Sequence, residues 1–468
     1  MVALQSPLHD AARRGDTEEI RRLLDVGADI DARADLSEDY GSFLQNLTPL
    51  MVATLSNDGA SAATITFLLS AGADPAATSA GGVTAIWYAA GYGDVPEELA
   101  PAQMLDAIGR LQVLLDAGLD PNEMSAGISL LCNACAAGDL AAVALLLERG
   151  ASVMPVRSPG WDLCSFQIPL CRAAASGSAE CVQLLLRAGA EPDLPAEDGT
   201  TALAEAESAE VARVLLDAGA RWDRYRTNSW EDVLDSVLYR LDYEEDDQRA
   251  QQRSAVAQTL LDAGAPLENT DTHSWTRLYR AAFGHHAPAV AFLVEHGASL
   301  APDSRGSTPL HAICWHGEYQ DDAINTACER IIRLLVAAGI SMDARDDEGR
   351  TPLHKATGGD WANVTAVRNL LELGAATDPV DGYGQTPLHI AARNADGACM
   401  DVLLTAGADP LSSDANGQTA VDLALQHYQL LRDRTGPPPF PGWDEVVEKA
   451  GASYALLTAA AERTGKTG

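Results

Sequence analysis

Lysine is almost missing from this 468-residue chain, occurring only as Lys355, Lys449 and Lys466. Arginine supplies nearly all the positive charge, and acidic residues outnumber basic ones 67 to 32, for a formal net charge of −35. Such a field repels phosphates, which argues against nucleic acid as a partner. No run of 18 apolar residues occurs, so no membrane span is expected. Aromatic residues are only 5% of the chain, so a large ring at a solvent-facing position calls for a reason. Cysteine is sparse, at eight residues, and without a secretion signal these read as reduced thiols. HExxH, GxSxG and a strand-flanked GxGxxG are all lacking. Gly465-Lys466-Thr467 echoes the end of a phosphate loop, but Ala460 stands where that loop needs its earlier glycine.

What the chain does contain is one phrase written repeatedly. Thr308-Pro309-Leu310-His311, Thr351-Pro352-Leu353-His354 and Thr386-Pro387-Leu388-His389 each precede a Leu-Leu pair and a glycine: Gly339, Gly374 and Gly407. A first copy opens at Ser6-Pro7-Leu8-His9 and closes at Gly27. Further closing glycines fall at Gly72, Gly118, Gly150, Gly189, Gly219, Gly264 and Gly297, at spacings of 30 to 46 residues. Repetition at this period marks a stack of similar units. The phrase also dictates local structure. Thr or Ser can cap a helix, Pro fits its first position, and a glycine in the left-handed conformation ends the second helix.

These boxes and closing glycines resemble the ankyrin repeat, from Ser6 to Ala452. The resemblance implies an all-α ankyrin-repeat solenoid of about twelve helix-turn-helix units with short β-hairpin fingers. It also implies that the box histidines His9, His311, His354 and His389 hydrogen-bond within and between units. Other boxes carry Met51, Trp87, Cys132, Cys171, Ala204 and Tyr279 instead, so the middle repeats diverge. Gln418–Ala424 opens a twelfth, disguised copy that closes near Gly451, and Tyr454–Ala461 reads as a short capping helix. The expected organisation is an N-terminal arm at 1–220, an irregular seventh repeat at 221–264, a C-terminal arm at 265–452, and a cap and tail at 453–468. Because the first box begins at Ser6, no room is left for a signal peptide and the cytoplasm is the expected location.

Stacked repeats offer long surfaces and seldom carry chemistry. The expected function is therefore non-catalytic protein binding by a monomer, as an adaptor or scaffold. The alternatives are an inhibitor that clasps a basic enzyme or toxin, and an enzyme with its site in the insertions. A solvated surface and attraction to a basic partner are both compatible with the net charge. Family resemblance places partners at the finger ends and at the exposed helix positions after the Ala-Ala pair. Those positions hold Trp275, Arg350 and Gln385 on fingers, and Tyr92, Phe283, Trp315, His316 and Arg393 on helices. Trp275, Phe283 and Trp315 come from adjacent units and are expected on one face, with Tyr319 extending it.

No cofactor, metal or catalytic residue is expected. Cys132 and Cys135 have CxxC spacing but take the box-His and Ala positions, where buried structural thiols belong. His311, Cys314 and His316 lie close in sequence, yet only His316 is expected to be exposed. His285-His286 replaces the usual Gly-Asp turn and reads as solvated imidazoles. The acidic run from Tyr243 reads as a solvated loop or a prong for a basic partner.

Overall fold

Proline at the first helical position and threonine before it start the helices as expected. Thr308, Thr351 and Thr386 are extended N-caps, followed by the helices Pro309–Cys314, Pro352–Thr357 and Pro387–Arg393. The computed structural model describes residues 6–35, 44–55, 61–90, 107–125, 127–155, 167–196, 199–223, 232–241, 247–271, 274–315, 322–358, 363–433 and 443–463. Among them are 23 helices and one two-stranded hairpin, Met124–Ser125 with Ile128–Ser129, so the fold is all-α.

Every repeat contributes two helices except the sixth. There the Ala204 and Glu205 N–H groups both donate to the Thr201 carbonyl, forming turns. Thr201 lies only seven residues before Ser208, the N-cap of Ala209–Asp217. At 3.6 residues per turn, that length cannot hold both a helix and a chain reversal.

The second helices close as the glycine pattern predicts. From Gly27 to Gly407, the eleven closing glycines have φ between 78° and 104°. In repeat 11 the Gly407 N–H donates to Leu404 O (3.1 Å) and the Ala408 N–H to Leu403 O (3.0 Å), the paired bonds of a Schellman end. Four residues before each closing glycine, ten successive repeats place a leucine, from Leu68 to Leu403, and all ten are fully buried. In repeat 1 the equivalent Leu23 is half-buried, and the helix Thr17–Asp25 buries only Ile20. In repeats 2 to 5, and again in repeats 8 to 12, first helices pack on first helices and second on second.

The twelfth repeat differs from expectation. Gly451 does not end a helix; Trp443–Arg463 runs through it unbroken for 21 residues, so the helix expected from Tyr454 is the second half of this one. A Cβ on Gly451 would lie 3.1 Å from the Tyr428 ring. This glycine therefore serves close approach to the helix Ala420–Arg432 rather than a left-handed turn.

Two compact units emerge. One comprises 1–237 with 251–265, the other 238–250 with 266–468.

The box histidines join successive repeats. The Thr308 N–H donates to His311 Nδ1 (3.1 Å), and His311 Nε2–H donates to the Arg350 carbonyl of the next finger (3.0 Å). His354 and His389 repeat this toward Gln385 O (3.0 Å) and Gln418 O (3.1 Å). His9 Nε2 meets Leu47 O at 3.0 Å. In repeat 12 Asp422 takes the histidine's place and accepts from the Thr419 N–H (2.9 Å), closing the cap without reaching onward. Met51, Trp87, Cys132, Cys171, Ala204 and Tyr279, which replace the histidine elsewhere, are all buried.

In His311 and His354, Nδ1 accepts the threonine N–H, which favours the neutral ring. Burial pushes the pKa of His9, His311 and His354 below the ordinary value of 6.5, against the raising effect of their carbonyl partners. The unfolded chain then binds protons first as pH falls, so this contribution to stability is complete above 6.5 and declines below it. The expected result is a lower Tm at pH 5.5 than at pH 7.5. Thermal denaturation in ~1 M salt, where carboxylate repulsion is screened within about 3 Å, isolates the effect. A Tm that does not drop would contradict it.

Candidate functional site

The site rests on four fingers of the second unit that share one construction. Each begins with an aspartate whose Oδ1 accepts two backbone N–H groups. Asp303 takes those of Arg305 and Ser307 (2.8 and 2.9 Å), Asp346 those of Glu348 and Arg350 (3.0 and 2.8 Å). Asp381 takes those of Tyr383 and Gln385 (2.8 and 2.9 Å), and Asp414 repeats the pattern. Successive fingers are then tied edge to edge: Asp347 N–H to Arg305 O (2.8 Å), Gly382 N–H to Glu348 O (2.8 Å), Ala415 N–H to Tyr383 O (3.0 Å). Gly384 shows why glycine sits in these turns. Its φ is 71°, and a Cβ there would stand 2.7 Å from Ala415 N.

Two adjoining cavities lie along these fingers. One, of about 490 Å³, is lined by residues including Trp275, Tyr279, Arg305, Trp315, Arg350 and Lys355. The other, of about 310 Å³, is lined by residues including Trp315, Lys355, Tyr383, Gln385, Ile390 and Arg393. Trp315, Glu348, Arg350 and Lys355 border both, so the two form one groove. Trp315 is 49% exposed and Tyr383 62%.

Beneath Trp315 lies a charged cluster. Lys355 Nζ sits 4.8 Å from the Trp315 ring centroid and 2.9 Å from Asp346 Oδ2. Arg350 Nε reaches the same oxygen at 3.2 Å, and Arg350 also pairs with Glu348. The Lys355 and Asp346 side chains are 8% and 1% exposed. Burial pushes the Asp346 carboxyl up, but the Lys355 ammonium and the Arg350 N–H and charge outweigh it and hold it below the usual carboxylate range. The Lys355 ammonium attracts the Trp315 ring face by a cation–π contact.

Ankyrin-repeat family profiles match this chain at several places. The single-repeat profile matches residues 4–35 and 167–197, and the three-copy profile matches 321–414 and 362–431. The chain is an ankyrin-repeat protein. Comparison with curated proteins gives no significant match. The profile matches fall on repeats 1 and 5 and on the span from the second helix of repeat 9 into repeat 12. The divergent repeats outside them keep the helix pair and closing glycine, apart from the first helix of repeat 6.

In this ankyrin-repeat protein the expected contact residues fall into three groups. Trp275, Trp315, Arg350, Gln385 and Arg393 line the groove. Phe283 does not; it packs behind Trp275, with ring centroids 5.2 Å apart. Tyr92, His316 and Tyr319 lie outside the described residues, as do 243–246 of the acidic run. Groove residues not anticipated include Tyr279, Arg305, Lys355 and Tyr383. Arg305 and Tyr383 occupy the fingertip position two residues before the one chosen from sequence. The rarity of lysine was the available signal for Lys355.

Cys132 and Cys135 are buried, and burial pushes both thiols up, which keeps them protonated. Among the described residues no cluster of histidine, cysteine and carboxylate suits a metal, and no helix is long and apolar enough to cross a membrane. The expected solvation of His285-His286 is corrected. His285 is buried in a left-handed turn (φ 61°), and the His286 ring meets Tyr239 edge-on at 4.7 Å.

Proposed function

We propose that the groove between Trp275 and Arg393 binds a partner protein without catalysis, as the recognition surface of an adaptor or scaffold. That ankyrin repeats are generally protein-interaction modules supports the reading. The observation that carries the reading is Trp315. A half-exposed indole, held from beneath by a buried cation and flanked by two cavities, is a pre-positioned anchor. Such aromatics dominate protein interfaces.

Trp315→Ala is expected to cost at least ~2 kcal/mol of affinity for the partner captured by the intact chain. Affinity capture with mass spectrometry identifies that partner, and calorimetry measures the loss. Unchanged affinity would remove the groove from consideration.

An inhibitor that clasps a basic enzyme is the second reading, favoured by the net charge of −35. Its contact would survive Trp315→Ala and weaken steeply with salt, because a charge-led encounter is screened.

A further inference from the structure

The smaller cavity departs from the charge of the chain around it. Its charged lining residues are Arg350, Lys355 and Arg393 against Glu348 and Asp381, a formal sum of +1 in a chain of −35. The two acids are already engaged. Glu348 pairs with Arg350, and Asp381 is buried with its Oδ1 accepting the Tyr383 and Gln385 N–H groups. Lys355 is committed to Asp346. Arg393 is different. It is exposed, has no carboxylate partner among the described residues, and spends one N–H on Gln385 Oε1 at 3.3 Å. A guanidinium has five N–H donors, so most remain free to meet a carboxylate. Around it stand apolar surfaces: the Trp315 and Tyr383 rings and Ile390.

Resting on the reading that this groove binds protein, we infer that the cavity between Trp315 and Arg393 selects an extended peptide segment by an aspartate or glutamate beside an apolar residue. The carboxylate meets Arg393, and the apolar neighbour packs between Trp315 and Tyr383. An internal side chain fits better than a chain terminus, because the cavity continues past Trp315 into the larger one and lets a segment run through. The preferred charge is opposite to the one suggested by the net charge. The local lining decides it, since fields from exposed charges beyond about 8–10 Å are screened at physiological salt.

The probe is a set of N-acetylated, C-amidated peptides, Gly-Ala-Leu-X-Phe-Ala-Gly, with X as Glu, Gln or Lys. Binding to the intact chain is followed by fluorescence anisotropy of a dye on the peptide. The Glu peptide is expected to bind about tenfold more tightly than the Gln peptide, the size of one charge-assisted hydrogen bond. The Lys peptide is expected to bind most weakly. Arg393→Gln should abolish the Glu-over-Gln preference. Equal binding of the Glu and Lys peptides, a preference that survives Arg393→Gln, or no binding by any peptide would overturn the inference. Capture of the natural partner separates the two readings. If Trp315→Ala weakens capture and Arg393→Gln does not, the groove stands and the acid preference falls; if neither matters, both fall.

Discussion

Asp346→Ala is expected to destabilise the second unit by about 3–5 kcal/mol, the range for removing one partner of a buried ion pair. The carboxylate holds three things at once: the turn of its own finger through two backbone N–H bonds, the Arg350 side chain, and the Lys355 ammonium. Its loss leaves Lys355 charged, only 8% exposed and without its carboxylate. Denaturant unfolding measures the effect. Removing both charges in Asp346→Ala with Lys355→Met should recover much of the loss, because no uncompensated cation remains. If the double variant is as unstable as the sum of the single ones, the ion pair is not what matters. Binding gives a second readout: Lys355→Met should weaken partner capture by freeing the Trp315 ring, with little change in fold.

Leu335→Ala carries the other large effect, about 2–5 kcal/mol for a fully buried leucine. Leu335 lies in Asp322–Ala337, which packs against Ala287–Glu295 on one side and Val364–Glu372 on the other. One repeat cannot bury its own apolar face, so the cavity weakens two interfaces together. Hydrogen exchange should lose protection in repeats 8 and 10 as well as 9. Loss confined to repeat 9 would show that neighbouring repeats are not coupled.

Much of this was legible from the chain. Thr-Pro at helix starts, the left-handed closing glycines and the buried leucines follow from rules that act within a few residues. The histidine bridges were implied by the family resemblance. Elsewhere one residue type served two purposes. Gly451 carries the closing Gly-Ala signal yet sits inside a long helix, where the Tyr428 ring needs the space. His285 stands in a polar turn but is buried there. In repeat 6 the short spacing was visible, but its consequence, a lost helix, depended on how seven residues could reverse direction.

The groove was half legible. Trp275, Trp315, Arg350, Gln385 and Arg393 follow from their places in the repeat, since the repeat fixes which positions face the same way. The charge of the smaller cavity does not follow from composition. Lys355 meets Asp346 within its own repeat and Trp315 from the repeat before, and Arg350 meets two carboxylates of its own finger while Arg393 meets none among the described residues. The amino-acid order alone therefore determined the repeat unit, its helix starts and its closing turns, because those depend on local hydrogen bonding and helical period. Which charges cancel and which stay available was decided only in three dimensions, because it depends on how the finger folds back to bring Asp346 to Lys355, and on how stacking sets Lys355 against Trp315 of the preceding repeat.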